Sequence, residues 1–204
     1  MLRSAPMRTS TLRLSFVLPL LAALACSSTQ LTSTFVDPGF AGGPFRKLIV
    51  VGLGASEGGR AAFENAVADK LAAQGVLGVA SGNLIVAAAD LNRAAVEGWV
   101  AKDGYDAVLV TRLVDTKKET SYQPPTYTDF YGYWGSYGSY VTSPGYVLET
   151  TTLLIETTVF DASTGKVVYS AESESFQPSS RDEVIHELVP LLVGDLTERR
   201  LLAR

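Results

Sequence analysis

One cysteine, Cys26, and one histidine, His186, set the first limits on the chemistry open to this chain of 204 residues. A single thiol and a single imidazole cannot assemble the ligand set of a zinc site, and Cys26 has no partner for an intramolecular disulfide. His186 sits on a helical stretch between Ile185 and Glu187, away from any Gly-x-Ser-x-Gly elbow. It reads as a solvated or half-buried helix residue. A Ser-His-acid triad gathered from distant parts of the chain stays open, with no residue pattern pointing to one. Glu172 and Glu174 alternate along a strand-like segment and share a face, as a hydrolase pair would, but an exposed strand face is the plainer account. Arg60 with Glu64, and Asp182 with His186, stand four apart on helical stretches, the spacing of pairs that decorate a solvated face.

Gly52-Leu53-Gly54-Ala55-Ser56-Glu57-Gly58-Gly59 follows a strand and opens a helix, where a phosphate cradle would sit. The third glycine of a dinucleotide fingerprint comes one residue late, and no Lys-Ser or Lys-Thr pair makes a Walker loop. Glu57 also puts negative charge where the phosphate would go. The expectation is a tight turn with Ser56 as helix N-cap and Glu57 facing the helix dipole. No catalytic, cofactor-binding or metal-binding set emerges, and no nucleotide is expected.

Residues 122–146 are different. Tyr127, Tyr131, Tyr133, Trp134, Tyr137 and Tyr140 lie between Tyr122 and Tyr146, with Gly132, Gly135, Gly138 and Gly145 among them. Tyr and Trp give large contact areas with a polar edge at small entropic cost, which suits a binding surface. A stretch this long inside a compact domain is more often functional or disordered than structural. Three readings stand: rings packed back over the sheet or in an ordered hairpin, a surface for a protein partner or a second copy, and a stacking surface for glycan.

The elements that must hold these residues follow from periodicity. Lys47–Val51 is a continuous apolar run, the mark of a strand covered on both faces. A helix from about Ser56 to Gln74 has Phe63, Ala66, Val67 and Leu71 as its stripe, with Gly75 suited to its C-cap. Val76–Val79 is a weak second strand. Asp90 can cap a helix through Lys102, with Leu91, Ala95 and Trp99 on one face and Gly104 ending it. Asp106–Thr111 is a further buried strand. Two long strand-like segments, about 147–160 and 166–176, flank an Asp161–Lys166 turn with Gly165 at the position needing positive φ. A last helix from about Ser180 to Leu201 has Val184, Ile185, Leu188, Val189, Leu192, Val193 and Leu196 as its core face, with Pro190 inside it. The order β-α-β-α-β-β-β-α predicts an α/β fold: a mixed sheet packed with about three helices.

Upstream of this lies an address. Residues 1–13 hold Arg3, Arg8 and Arg13 and no acid, and residues 14–25 form an apolar run too short to span a bilayer. Ala23-Leu24-Ala25-Cys26 resembles the lipobox of bacterial lipoproteins, although the commonest form has Leu where Ala23 stands. The resemblance implies a cleaved signal peptide over 1–25 and a lipid on Cys26, which also explains a lone thiol in an exported chain. Ser27 after the cysteine, rather than Asp, implies the outer membrane, with the domain facing the periplasm. Residues 26–44, rich in Ser, Thr, Gly and Pro, read as a tether, and a single α/β domain is expected over 45–204. Losing residues 1–25, with three Arg and no acid, leaves 14 Lys and Arg against 21 acids, a net charge of −7. A surface that acidic does not suit nucleic acid.

Across residues 46–203 the chain resembles a group of uncharacterised bacterial lipoproteins through VVGL running into SEGGRAAFENA, then YDAVLVTRLV, SPGYV and FDASTGKVVYSAESESF. The element order is more loosely similar to envelope-assembly lipoproteins such as the curli secretion lipoprotein and the penicillin-binding-protein activators. These likenesses imply a non-enzymatic accessory that binds or assembles, with a polysaccharide-binding module as the alternative. They bring no activity. For the anchor the expected outcome is concrete: Cys26→Ser yields unprocessed or soluble protein with no incorporated fatty acid. Entry of labelled palmitate into the mutant would refute the assignment.

Overall fold

The computed structural model describes residues 28–54, 56–85, 92–124 and 145–203. Their elements are β1 (Thr29–Val36), β2 (Lys47–Leu53), α1 (Glu57–Ala72), β3 (Leu77–Ala80), a 3-10 turn (Ser81–Asn83), α2 (Arg93–Asp103), β4 (Ala107–Gln123), β5 (Tyr146–Asp161), β6 (Val167–Phe176) and α3 (Arg181–Glu198). The strands form one mixed sheet in the order β1-β6-β5-β4-β2-β3. β2 runs parallel to β3 and β4, and the remaining neighbours are antiparallel. The α/β class, the mixed sheet and the three helices agree with the periodicity.

Alternation along β2 decides the layering. Leu48 and Val50 join the larger core, in which α1 and α3 cover one face of the sheet. Ile49 and Val51 face the other way, into a smaller cluster with Tyr105 and Val108, packed by Val96, Trp99 and Val100 of α2. Each such side chain removed from water contributes about 1.5–3 kcal/mol. α3 buries Val184, Leu188, Val189, Leu192, Val193 and Leu196 and runs through Pro190. Tyr169 is fully buried under it, its hydroxyl donating to Asp195 Oδ2 at 2.8 Å. Burial, then the Asp195 carboxylate, drives that phenol far above its ordinary pKa. Gly104 and Gly165 take positive φ, as their turns require. Asp90 and Leu91 lie outside the described residues, and α2 begins later than expected, with the Asn92 side chain accepting from the Ala95 N–H at 3.0 Å.

Two findings depart from the sequence expectation. The stretch read as tether contains β1, paired with β6 from Thr29↔Ser175 to Val36↔Tyr169. Its Ser and Thr content suggested a linker, yet β-branched Thr suits a pleated surface, and Leu31 and Val36 pack on the main core. Side chains fasten it to α3. Ser28 Oγ donates to Glu187 Oε2 at 2.9 Å, and Arg199 donates to Thr34 Oγ1. The second departure is β4, which continues far beyond Thr111 to Gln123, paired with β5 along its length with one register shift between Leu113 and Asp115.

A strand that belongs to the sheet cannot be removed as a tether can. A chain beginning at Phe45 is expected to lose about 2 kcal/mol or more, since the half-buried Leu31 and Val36 no longer cover the core and the β6 edge loses its partner. Urea unfolding measures it, and an unchanged midpoint would restore the tether.

Candidate functional site

The Gly-rich turn is tied to a side chain of the helix that it opens. β2 ends at Leu53, Gly54 takes φ +81°, and Ser56 caps α1 by accepting the Gly59 N–H at 3.3 Å. A phosphate cradle would leave backbone N–H groups free to face an anion. Here the anion is part of the chain. Glu64, two turns into α1, is 0% exposed. Its Oε1 accepts the Gly52 N–H at 2.9 Å and the Ser81 hydroxyl at 2.6 Å, and its Oε2 accepts the Gly82 N–H at 2.9 Å.

This corrects the expectation that Arg60 and Glu64 decorate a solvated face. Both are buried, on the same stripe as Phe63, Val67 and Leu71. The helix lies too close to the sheet for water: a Cβ on Gly78 of β3 would meet Ala68 Cα at 2.8 Å. Arg60 is 7% exposed, and its Nε and Nη1 have no hydrogen-bond partner among the described residues. No described carboxylate stands at ion-pair distance from it. A buried neutral donor left unmade already costs about 1–3 kcal/mol, and a charged one costs more.

Arg60 borders a cavity of about 490 Å³ where the first turns of α1 and α3 meet the end of β2 and interior positions of β4 and β5. Its walls are mainly apolar, with Phe63, Leu113, Leu153, Ile155 and Leu188 among them. Arg181, the first residue of α3, also lines it and lies over Gly59, where a Cβ would come within 2.9 Å of its Nη1. No acidic residue is part of the wall.

The second region is the end of the β4–β5 hairpin. β6 accompanies β5 only as far as Thr152↔Phe176, while β4 and β5 stay paired to Gln123↔Tyr146. A two-stranded ribbon therefore extends beyond the rest of the sheet. Tyr122, Tyr146, Val147 and Leu148 on it are exposed. Tyr122 crosses Gly145 so closely that a Cβ there would collide with its hydroxyl, which gives that glycine a steric reason. The aromatic candidates Tyr127, Tyr131, Tyr133, Trp134, Tyr137 and Tyr140 lie outside the described residues, as does Cys26. What the structure adds is where the stretch is delivered: its two ends are neighbours on the ribbon.

The remaining candidates are not brought together. Asp182 and His186 are exposed on α3. Glu172 is exposed on the sheet face away from α1 and α3, opposite Glu156, whose carboxylate pairs with Arg112 at 2.6 Å. Among the described residues no cluster of His, Cys, Asp and Glu could hold a metal ion. Sequence reasoning missed the cavity because its wall joins four distant segments. The burial of Arg60 and Glu64 was detectable, since both fall on the helical stripe already assigned to the core.

These features define a mixed α/β domain with an arginine-bordered cavity and a projecting ribbon. No protein-family model matches the chain, and no curated protein sequence does. Among solved structures it is similar to the PelC dodecamer of Paraburkholderia phytofirmans, at 17% identity over 86% of this chain and 99% of that one, with a TM-score of 0.45. A single-substitution variant of that dodecamer gives 16% identity over 86% and 98%, with a TM-score of 0.43. The lipoprotein GNA1162 of Neisseria meningitidis gives 17% identity over 75% and 99%, with a TM-score of 0.42. Likeness at this level concerns the arrangement of elements and carries nothing about ligand or partner.

Removal of the Glu64 carboxylate strands three donors at once. Glu64→Ala is expected to destabilise the domain by about 3–5 kcal/mol, with Glu64→Gln closer to wild type because one acceptor survives. Denaturant unfolding of both variants measures this, and a loss under about 1 kcal/mol for Ala would show the network to be incidental.

Proposed function

We propose that this chain is an exported lipoprotein of the bacterial cell envelope, anchored in the outer membrane through Cys26 and facing the periplasm. It acts by binding, as an accessory to an assembly, without catalysis. The aromatic stretch is the contact, whether with an envelope protein or with a second copy of the chain. One observation carries the reading: the register pair Gln123↔Tyr146 places both ends of that stretch side by side at the tip of an exposed ribbon. The lipobox-like run before Cys26 supports the anchor, and the acidic balance of the mature chain argues against nucleic acid.

Because Gln123 and Tyr146 are paired, residues 125–144 can be replaced by a two-residue Asn-Gly turn at small closure cost. The expected outcome is a folded domain within about 1 kcal/mol of wild type that has lost self-association in ultracentrifugation or partner recovery in a pull-down. Single Ala substitutions at Tyr131, Tyr133, Trp134 and Tyr137 should be uneven, with one or two costing more than about 2 kcal/mol of binding. Unfolding of the turn variant would make the aromatics core. Binding undiminished in it would make the stretch dispensable. Retention of sacculi alone, lost with the stretch, would turn the reading to a polysaccharide module.

A further inference from the structure

The cavity at the head of α1 and α3 has a cationic border with nothing opposite it. Arg60 is more than nine-tenths buried, and two of its three guanidinium nitrogens are buried without a partner among the described residues. Arg181 stands on the same wall, and no carboxylate does. Buried charges are ordinarily paired, because an uncompensated one is costly. Glu64, four residues further along α1, is already committed to Gly52, Ser81 and Gly82. Among the described residues nothing meets the Nε and Nη1 donors of Arg60. The rest of the cavity says what else a molecule that met them must be. Phe63, Leu113, Leu153, Ile155 and Leu188 line a space of about 490 Å³, within the range of small-ligand sites. A free phosphate or carboxylate would leave this apolar wall unfilled, and a neutral hydrocarbon would leave the guanidinium unmet.

We infer that this cavity binds an amphipathic anion: an oxyanion head held by Arg60 and Arg181, with an apolar chain laid between α1, α3 and the stretch of β4 and β5 around Leu113 and Leu153. A planar carboxylate or a phosphate accepts two parallel hydrogen bonds from one edge of a guanidinium, Nε with Nη2 or Nη1 with Nη2, and each of these edges of Arg60 includes one nitrogen without a partner among the described residues. The shared chemistry covers a free medium-chain fatty acid and a phosphate-headed lipid. The inference is independent of the aromatic stretch and of the anchor, and stands if either of those fails.

Residues 28–203 contain every described element around one sheet, so the chain from Ser27 onward, free of any acyl group, serves for the test. Titration calorimetry below micellar concentration compares sodium decanoate, decyl phosphate, decanol and acetate. Saturable binding of decanoate or decyl phosphate is expected, and the tighter of the two assigns the head as carboxylate or phosphate. Decanol and acetate should both bind far more weakly. Arg60→Met should raise the melting temperature, because a buried unpaired charge is removed, while weakening the anion at least about tenfold. A residue with a structural role alone would not show that opposition. If Arg60→Met fails to fold, Arg181→Met at the exposed end of the wall replaces it, with several-fold weaker binding expected. The proposal is overturned by any of four results: neither anionic amphiphile binds, acetate binds as tightly, decanol binds as tightly, or the arginine variant binds as wild type does.

Discussion

The carboxylate of Glu64 fixes the geometry on which the rest of this domain depends. It is fully buried and yet fully hydrogen-bonded, with three donors from two separate segments: Gly52 at the end of β2, and Ser81 and Gly82 beyond β3. Those segments lie at the ends of two parallel strands joined by α1, so one side chain of the crossover helix ties both strand ends to itself. A buried charge is tolerable only on such terms. The same arrangement explains the turn before α1. Gly52 donates its N–H inward to Glu64, so a stretch with the glycine content of a phosphate loop is occupied by the protein's own anion. It also explains the state of Arg60. One turn earlier on the same stripe, the guanidinium finds the nearby carboxylate already satisfied and stands unpaired against the cavity.

The long pairing of β4 with β5 is the second constraint. Antiparallel partners supply each other's backbone hydrogen bonds, so β4 can continue where its sequence alone gives little encouragement. Residues 112–121 include Arg112, Asp115, Lys117, Lys118 and Glu119, a run that suggests solvated coil more than strand. Opposite them lie Thr150, Thr151 and Thr152 of β5, which favour the extended state. The charged residues then have a use. Past Arg112, β4 has no strand neighbour among the described residues on the side where β2 paired, and Lys, Asp and Glu on an open edge discourage pairing with a stray strand.

How far the fold was legible follows from these cases. Continuous apolar runs and 3.6-residue stripes, as at Lys47–Val51 and Val184–Leu196, identify elements whose stability is local and whose faces are plain. β1 escaped because its membership in the sheet rests on partners far along the chain, Ser175 and Glu187, while its own composition is that of a linker. The continuation of β4 escaped for the same reason. Arg60 and Glu64 escaped differently. The spacing rule for solvated ion pairs was applied to residues that the stripe rule, applied to the same helix, places inside. Where two local rules conflict, the burial of the face decides, because a helix cannot turn one residue of its core stripe to solvent. The cavity was invisible in sequence, since its wall is assembled from the starts of two helices, the end of β2 and interior positions of β4 and β5.

The registers also relate regions that no local pattern connects. Thr29 opposes Ser175, Ser175 opposes Leu153, and Leu153 opposes Thr116, so the beginning of β1 lies in one row with the base of the ribbon. Leu153 is also part of the cavity wall. Three features therefore share one end of the sheet: the start of the described chain, the projecting β4–β5 ribbon and the space bordered by Arg60 and Arg181. The first of these carries a constraint from covalent geometry. Cys26 is two residues before Ser28, and an extended chain reaches only about 7 Å over that distance. Ser28 in turn is held to α3 through Glu187. A lipid on Cys26 would thus be coupled to the domain with almost no slack, instead of hanging from an eighteen-residue tether. An anchor so short would fix which way the domain faces and would bring the ribbon end and the cavity to the membrane side. A cavity shaped for an anion with an apolar chain is then placed beside the phase in which such molecules are concentrated.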